Sequence, residues 1–341
     1  MKEIKTVDAI GHVLCHDITQ IIKGVTKEAA FRKGHVVVAE DIPVLLSLGK
    51  DNLFVWEAQE GMLHENEAAQ ILYNLCAGKN MRPSEVKEGK IEVIADCDGV
   101  FLVDTQRMRA VNSLGEMMIA TRHGGFPVQK GEKLAGTRVI PLIISERKMA
   151  RAQALAGDAP LLALHEFVPK KGAIICTGNE VFYGRIKDNF SPVVVQKVEE
   201  YGAHIFQTIT APDSPEKITA AILDAIQNGA DMVVCTGGMS VDPDDRTPLA
   251  IKNTGATVVS HGAPVLPGSM FMLAYHDGKV PILGLPGCVM YTKRTIFDLV
   301  LPKLMAGLPI SPDELSALGH GGLCLSCEVC TYPNCGFGKG C

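Results

Sequence analysis

Three short glycine-bearing motifs carry the residue types that could hold a phosphorylated ligand. They are Thr177-Gly178-Asn179-Glu180, Thr236-Gly237-Gly238-Met239-Ser240 and Gly284-Leu285-Pro286-Gly287. Each follows a short apolar run that reads as a strand. Glycine lets backbone N–H groups come close to phosphate oxygens, and Thr or Ser hydroxyls add further donors. A glycine that merely ends a strand is the plain alternative for any one motif; three on strand ends favour a shared pocket. The middle motif runs on as Val241-Asp242-Pro243-Asp244-Asp245-Arg246-Thr247-Pro248. Three carboxylates in four positions repel one another unless a cation sits among them. Hard oxygens beside a phosphate suit Mg²⁺, which is held by one or two carboxylates plus substrate phosphates. Asp245 and Asp242 are therefore the candidate catalytic and Mg²⁺-binding carboxylates. The competing reading is a solvated acidic turn in which Asp245 caps the helix begun at Arg246.

A second constellation lies at the C-terminus. Of eleven cysteines, six are scattered and five fall in the last eighteen residues. Cys324-x2-Cys327-x2-Cys330-x4-Cys335, with Cys341 after it, has metal-ligand spacing. Thiolates this close on a Gly-rich segment can wrap a zinc ion or an iron–sulfur cluster. Disulfides and a free-thiol tail are the alternatives. His320 is a spare ligand. Cys288 follows Pro-Gly ahead of an expected helix, whose N-terminus would favour its thiolate; an inert buried thiol is the other reading. Cys176, Cys235 and Trp56 read as core residues. His261, at a strand end, either faces the pocket or is structural.

The elements that position these residues change character along the chain. Residues 1–165 show short apolar bursts such as 36–38 and 53–56, the pattern of short strands with tight turns. Helices are expected over 41–48 and 65–75, a β-rich patch over 91–103 and 136–144, and a connecting helix over 145–158. From about residue 168 strand and helix alternate. Strands are expected at 173–176, 203–209, 231–235, 257–260 and 280–283. Helices are expected at 191–201, 214–228 and 246–253, with a longer one running from the third motif to about 304. Apolar strands alternating with helices imply a parallel sheet covered on both faces. The fold class is thus α/β, a three-layer α/β/α mostly parallel sheet at 168–310, preceded by a β-rich α+β region at 1–165. A Cys-rich metal-binding tail follows at 313–341, which would not form a core of its own without a metal.

Composition narrows the function classes. The formal charge of −5, without any Lys/Arg run, argues against a nucleic-acid footprint. No secretory signal and no apolar run of about 18 residues is present, so a cytoplasmic protein off the membrane is expected. Scattered cysteines read as reduced, mostly buried thiols.

The motifs together resemble the molybdopterin-binding domain of molybdenum-cofactor biosynthesis proteins of the MoeA, MogA and gephyrin type. Thr236–Ser240 followed by Pro-x-Asp-x-Thr-Pro at 243–248 is similar to that family's central motif. Thr177-Gly178-Asn179-Glu180 with Gly184, Ile186, Asp188 and Asn189 resembles its first motif, T-G-D/N-E-L then G-x-I-x-D-x-N. Pro267-Gly268 is similar to its P-G-x-P loop and Gly284–Gly287 to its G-L-P-G-N-P loop. The similarity spans about 170–305. More weakly, 11–18 and 33–37 resemble the opening of the molybdenumtransferase type. Two departures stand out: S-x-x-D-G-Y-A has no counterpart, and Cys288 and Val289 replace the usual Asn and Pro.

The resemblance implies pterin-phosphate binding at Thr177, Gly178, Glu180, Asp188, Thr236, Gly237, Gly238, Ser240, Thr247, Pro267, Gly268, Pro286 and Gly287. Molybdopterin and Mg²⁺ are the implied cofactors, with a nucleotide as a second small-molecule candidate. One branch of the family adenylylates molybdopterin, and the other cleaves that adenylate and inserts molybdate. A transferase of this kind is expected, and a non-catalytic carrier, chaperone or sensor is the rival. A homodimer and a molybdoenzyme or cofactor-pathway protein are the expected partners.

Overall fold

The computed structural model describes residues 2–22, 26–55 and 60–340, and the chain divides into two compact units. Trp56 and Cys341 lie outside the described residues.

The first unit holds residues 1–96, 103–122 and 131–163. Its elements begin with β1 (Lys2–Lys5), β2 (Ile18–Ile22), β3 (Thr26–Phe31), α1 (Asp41–Ser47), β4 (Asn52–Val55), β5 (Met62–His64), α2 (Glu65–Cys76), β6 (Met81–Pro83) and β7 (Lys90–Ala95). Next along the chain come β8 (Gly99–Val103), α3 (Thr105–Asn112), β9 (Met117–Thr121), β10 (Phe126–Val128), β11 (Lys133–Val139), β12 (Ile143–Ser145) and α4 (Glu146–Ala156). The strands form small antiparallel sheets, β1-β4, β2-β3, β12-β5 and β6-β7-β11-β9. Helix α2 forms because His64 and Glu67 close a capping box and Ala68, Ala69, Leu72 and Cys76 bury one face. The apolar burst 36–38 is not a strand: Val36 only bridges to Val13, and Val36 and Val38 are exposed. Alternation there serves an irregular loop rather than a ladder.

The second unit holds residues 97–102, 123–130 and 164–341. It borrows β8 and β10, which pair with β13 (Leu162–Glu166) in a three-stranded sheet. Its main body follows the expected alternation. In chain order it contains β14 (Lys171–Thr177), α5 (Asn179–Phe182), α6 (Ser191–Glu199), β15 (His204–Ala211), α7 (Pro215–Gln227), β16 (Met232–Thr236) and α8 (Thr247–Asn253). These are followed by β17 (Thr257–His261), β18 (Met272–His276), β19 (Val280–Leu285), α9 (Ile296–Met305) and α10 (Pro312–Ala317). The sheet order is β15-β14-β16-β19-β18-β17; the first four strands are parallel and the last two antiparallel.

The central strands are buried on both faces, and successive residues feed opposite layers. Ile174, Val234 and Leu283 join Val194, Val198, Ile296 and Phe297 in one apolar layer. Ala173, Ile175, Val233, Cys235 and Ile282 join Ile218, Ile222, Ala250 and Ile251 in the other. This two-sided burial is the three-layer α/β/α arrangement expected from the continuous apolar runs.

Two expectations need correcting. Strand β18 was not singled out in the sequence, yet it inserts antiparallel between β19 and β17. The helix after the third motif is not continuous. Residues Gly287–Met290 make a 3-10 turn, and α9 starts only at Ile296. Thr295 and Asp298 form a capping box, with Thr295 N donating to Asp298 Oδ2 at 2.8 Å and Phe297 N to Thr295 Oγ1 at 3.2 Å. That reciprocal cap fixes the start of the helix eight residues beyond Cys288 in sequence terms.

Residues beyond α10 pack onto the same unit rather than standing apart. Phe337 is buried in the first apolar layer, with Cys324, Tyr332 and Cys335 packed against it. Leu266 N donates to Gly322 O and Cys324 N to Leu266 O, each at 2.8 Å. A core of its own is therefore not what orders this segment.

Candidate functional site

Because β14, β16 and β19 are parallel, the segments that follow them emerge at one edge of the sheet. The antiparallel pair brings residues 262–271, between β17 and β18, to that edge too, since Met272 sits opposite Gly284 and His261 opposite Met272. Strand order reverses about β14, which has β15 on one side and β16 on the other. In open α/β sheets ligands bind at such a switch point, outside the strand carboxyl ends. The first and second motifs flank it.

These two motifs are stitched together by buried hydroxyls. Thr177 Oγ1 donates to Thr236 O at 3.1 Å and lies 3.1 Å from Thr247 Oγ1, which donates to Gly237 O at 2.9 Å. Thr177, Thr236 and Thr247 are all buried. The Thr177 and Thr247 hydroxyls join loops about sixty residues apart in sequence; the structure places them in this inner seam and not at the mouth. The glycines are demanded by the same closeness. A Cβ on Gly237 would stand 2.3 Å from Thr177 O, and one on Gly238 2.8 Å from Thr247 Oγ1, both at positive φ. A Cβ on Gly178 would meet Glu180 Oε1 at 2.8 Å. Exposed backbone and an exposed Ser240 remain at the surface of the loops.

Carboxylates gather at the mouth. Asp245 N donates to Asp242 O at 2.9 Å, and Asp242 N to Asp245 Oδ2 at 3.2 Å, so the turn 242–245 is closed on itself. Asp242, Asp244 and Glu180 are exposed and Asp245 half-buried. Asp213 completes the set. It follows β15, and its Oδ2 accepts from Asn179 N at 2.8 Å while its own N donates to Asn179 Oδ1 at 3.3 Å. Burial pushes the Asp213 carboxyl up, and the charges of Glu180, Asp244 and Asp245 push it further, against the Asn179 amide. In sequence Asp213 and Ser214 are both candidates to cap the helix that follows, and Ser214 is the N-cap of α7. The position of Asp213 one strand away from the first motif was the usable signal. Exposed Phe182 and Tyr183 stand beside the same loop, with Lys217 Nζ 5.9 Å and the Arg185 guanidinium 5.3 Å from their respective ring centres.

The other expected residues have structural work. Asp188 Oδ1 accepts from Phe190 N at 2.9 Å and Ser191 N at 3.0 Å, turning the chain into α6. Burial alone would raise its carboxyl, but hydrogen bonds from Ser191, Phe190 and Cys176 outweigh it and hold it low. Pro267 O accepts from Ile296 N at 3.2 Å, and a Cβ on Gly268 would meet Ile296 Cγ2 at 2.4 Å, so this pair seats α9. Pro286 is buried and Gly287 exposed, and a Cβ on Gly284 would strike Met239 Sδ at 2.5 Å. Burial pushes the half-buried Cys288 thiol up, and no long helix starts there to favour a thiolate. Cys176 and Cys235 are buried, their thiols pushed up to about 11 and about 12 by burial. His261 is exposed.

Among the described residues no three His, Cys, Asp or Glu side chains converge to hold a single ion. A Mg²⁺ held by one or two carboxylates, waters and a ligand phosphate needs no such triple. Among the described residues no helix is long and apolar enough to cross a membrane.

Comparison with known proteins points the same way. Residues 173–306 match the family model described as "Probable molybdopterin binding domain", and residues 3–57 match a domain of unknown function. A molybdopterin molybdenumtransferase of Synechococcus elongatus is 26% identical over 198 residues, 54% of this chain and 46% of that protein. A CinA-like protein of Fervidobacterium nodosum is 34% identical over 85 residues, 25% of this chain and 21% of that protein. The chain thus spans less than half the length of these relatives. Among solved structures, the molybdopterin biosynthesis enzyme MoaB of Thermus thermophilus is 21% identical, with a TM-score of 0.34, 41% of this chain and 98% of that one covered. Motifs, sheet topology and family match agree, and residues 173–306 of this chain belong to the molybdopterin-binding domain family of molybdenum-cofactor biosynthesis.

Proposed function

We propose that the crevice between the first and second motifs binds molybdopterin with Mg²⁺, and that the chain acts in molybdate insertion or in handling adenylylated molybdopterin. One observation supports this above others: Asp213 is held half-buried among Glu180, Asp244 and Asp245, and its carboxyl is pushed up as a result. Negative charge left uncompensated beside backbone-lined loops invites a divalent cation bridging to an anionic ligand. Asp245 and Asp242 would hold that ion, which supplies charge neutralisation at the pterin phosphate. Loop amides at 178–180 and 237–240 would orient the phosphate oxygens. The seam of Thr177 and Thr247 keeps those amides fixed, so little reorganisation is needed when the ligand arrives.

A non-catalytic carrier is the second reading. It is favoured by the missing S-x-x-D-G-Y-A motif and by the internal use of the Thr177 and Thr247 hydroxyls, which leaves fewer groups to act on a substrate. In both readings the pterin, with or without a nucleotide, is the small-molecule partner, and the C-terminal cysteines carry a metal centre. A reducing, cytoplasmic setting is the location this reading anticipates. A second copy of the chain and a cofactor-pathway protein are the macromolecular partners this reading anticipates.

Calorimetric titration of the full chain with molybdopterin and its adenylate, with and without Mg²⁺, tests the site. Binding should need Mg²⁺ and should weaken by about tenfold or more in Asp245→Ala, since one charged contact is worth roughly 1.5–3 kcal/mol. Binding that ignores both Mg²⁺ and the substitution would refute the metal assignment. Molybdate-dependent loss of the adenylate then separates transferase from carrier.

A further inference from the structure

We infer that Cys324, Cys327, Cys330 and Cys335 bind an iron–sulfur cluster of the four-iron class, not a single zinc ion. The inference rests on the reading of this segment as a metal centre and deepens it. All four cysteines line one cavity of about 580 Å³, bounded by the C-terminal segment and residues 291–294. A zinc tetrahedron has Zn–S bonds of about 2.3 Å, which draws its four sulfurs to within about 3.8 Å of one another and leaves no hollow between them. A cluster instead interposes irons and sulfides among its thiolates, so it requires cysteines set around a space.

The walls of that space are held by contacts that do not involve the thiols. Tyr332 Oη donates to Asp298 O at 2.9 Å, Gly338 N to Gly321 O at 2.9 Å and Lys293 Nζ to Glu328 O at 2.9 Å. The backbone of the segment lies flat on the domain, for a Cβ on Gly338 would stand 2.5 Å from Leu299 Cδ2. A segment pinned in this way keeps its four cysteines on the cavity wall. Between Cys330 and Cys335 the chain makes a turn closed by Asn334 N donating to Thr331 O at 2.7 Å.

Charge and polarity match the same cargo. Four thiolates on a cluster leave a net negative charge; Lys293 and Arg294 line the cavity with Glu328, and Arg294 Nη1 also donates to Asp298 Oδ1 at 2.8 Å. The Arg294 guanidinium sits 4.8 Å over the Tyr332 ring, which forms another part of the wall. Ligation releases the proton of each thiol, and these cations stabilise the thiolates that remain. The wall segment 291–294 follows the 3-10 turn after the third glycine motif, so the cluster would sit against the chain that leaves the pterin edge.

The test is made on the full chain, purified without oxygen and then supplied with iron(III), sulfide and excess dithiothreitol. Iron, acid-labile sulfide and zinc are counted per chain, with visible absorption and electron paramagnetic resonance before and after dithionite. The expected result is about four irons and four sulfides per chain, with a visible band that bleaches on reduction and a paramagnetic signal that appears. Cys327→Ala and Cys330→Ala should each lose most of the iron. Both residues are exposed, so an unchanged thermal midpoint will show that the fold survives. Cys97→Ala, in place of a cysteine remote in sequence from the segment, should keep the full iron count. One zinc per chain with no iron uptake would overturn the cluster while leaving the metal-centre reading intact. Failure to retain either metal, with all four thiols open to alkylation, would overturn both.

Discussion

Replacing Gly237 by Ala probes whether the proposed pterin site depends on two backbones lying in contact. The position has φ +87°, and an added Cβ would stand 2.3 Å from the carbonyl oxygen of Thr177. Gly229, after α7, has a similar φ of +94° and nothing within 4 Å of the same Cβ. Both substitutions therefore carry the left-handed backbone strain of about 1–2 kcal/mol. Only Gly237→Ala adds overpacking against rigid backbone, worth about 1–3 kcal/mol. Comparing the two variants cancels the shared strain. For a unit of this size, 1 kcal/mol moves the thermal midpoint by about 2–4 °C, so Gly237→Ala should melt roughly 2–12 °C below Gly229→Ala. Circular dichroism melts of the full chain will show the difference in the transition of the second unit. Titration below that transition should show pterin binding lost in Gly237→Ala and kept in Gly229→Ala. Equal midpoints with equal binding would refute the argument that loop contact builds the site.

Two further outcomes follow from the charge network. Asp213 is an acid whose folded-state carboxyl is raised, so its stabilising share is full at pH values below the unfolded carboxylate range and is lost as pH rises through the folded value. In Mg²⁺-free buffer Asp213→Asn should thus gain stability on wild type as pH rises from 4 to 7, and added Mg²⁺ should narrow that gap (chemical denaturation across pH reads both). A gap that is flat with pH would sink the electrostatic account. Asp298 is buried and accepts from Lys197 Nζ at 2.6 Å, Arg294 Nη1 at 2.8 Å and Thr295 N at 2.8 Å. Asp298→Ala strands two cations and uncaps α9, which should cost about 3–5 kcal/mol in urea titration; a loss below about 1 kcal/mol would contradict the network's role.

Much of the fold was legible because its signals are local. Continuous apolar runs at β14, β16 and β19 read as strands buried on both faces, and Pro215 just inside α7 with Gly229 just past it are local signals of that helix. What misled was also local in origin. The run after Pro-Gly at 286–287 suggested one helix, because a capping box beginning at Thr295 is visible only when the chain is known to break before it. Met272–His276 passed unnoticed since nothing in its own pattern says that two strands will receive it antiparallel.

The sequence by itself determined the residue types at the crevice, the order of its motifs along the chain and the presence of four cysteines at ligand spacing. Those follow from composition and from periodicities of two and of about four, which need no partner to be read. Only the tertiary structure decided what each group does. It turned Thr177 and Thr247 inward as a seam, brought Asp213 from the end of β15 to the acidic turn, and set the cysteines around a hollow instead of a point. Each of those outcomes depends on segments tens of residues apart being placed within a few ångströms. Hydrogen bonding and charge act across that gap in space, and no window of sequence contains it.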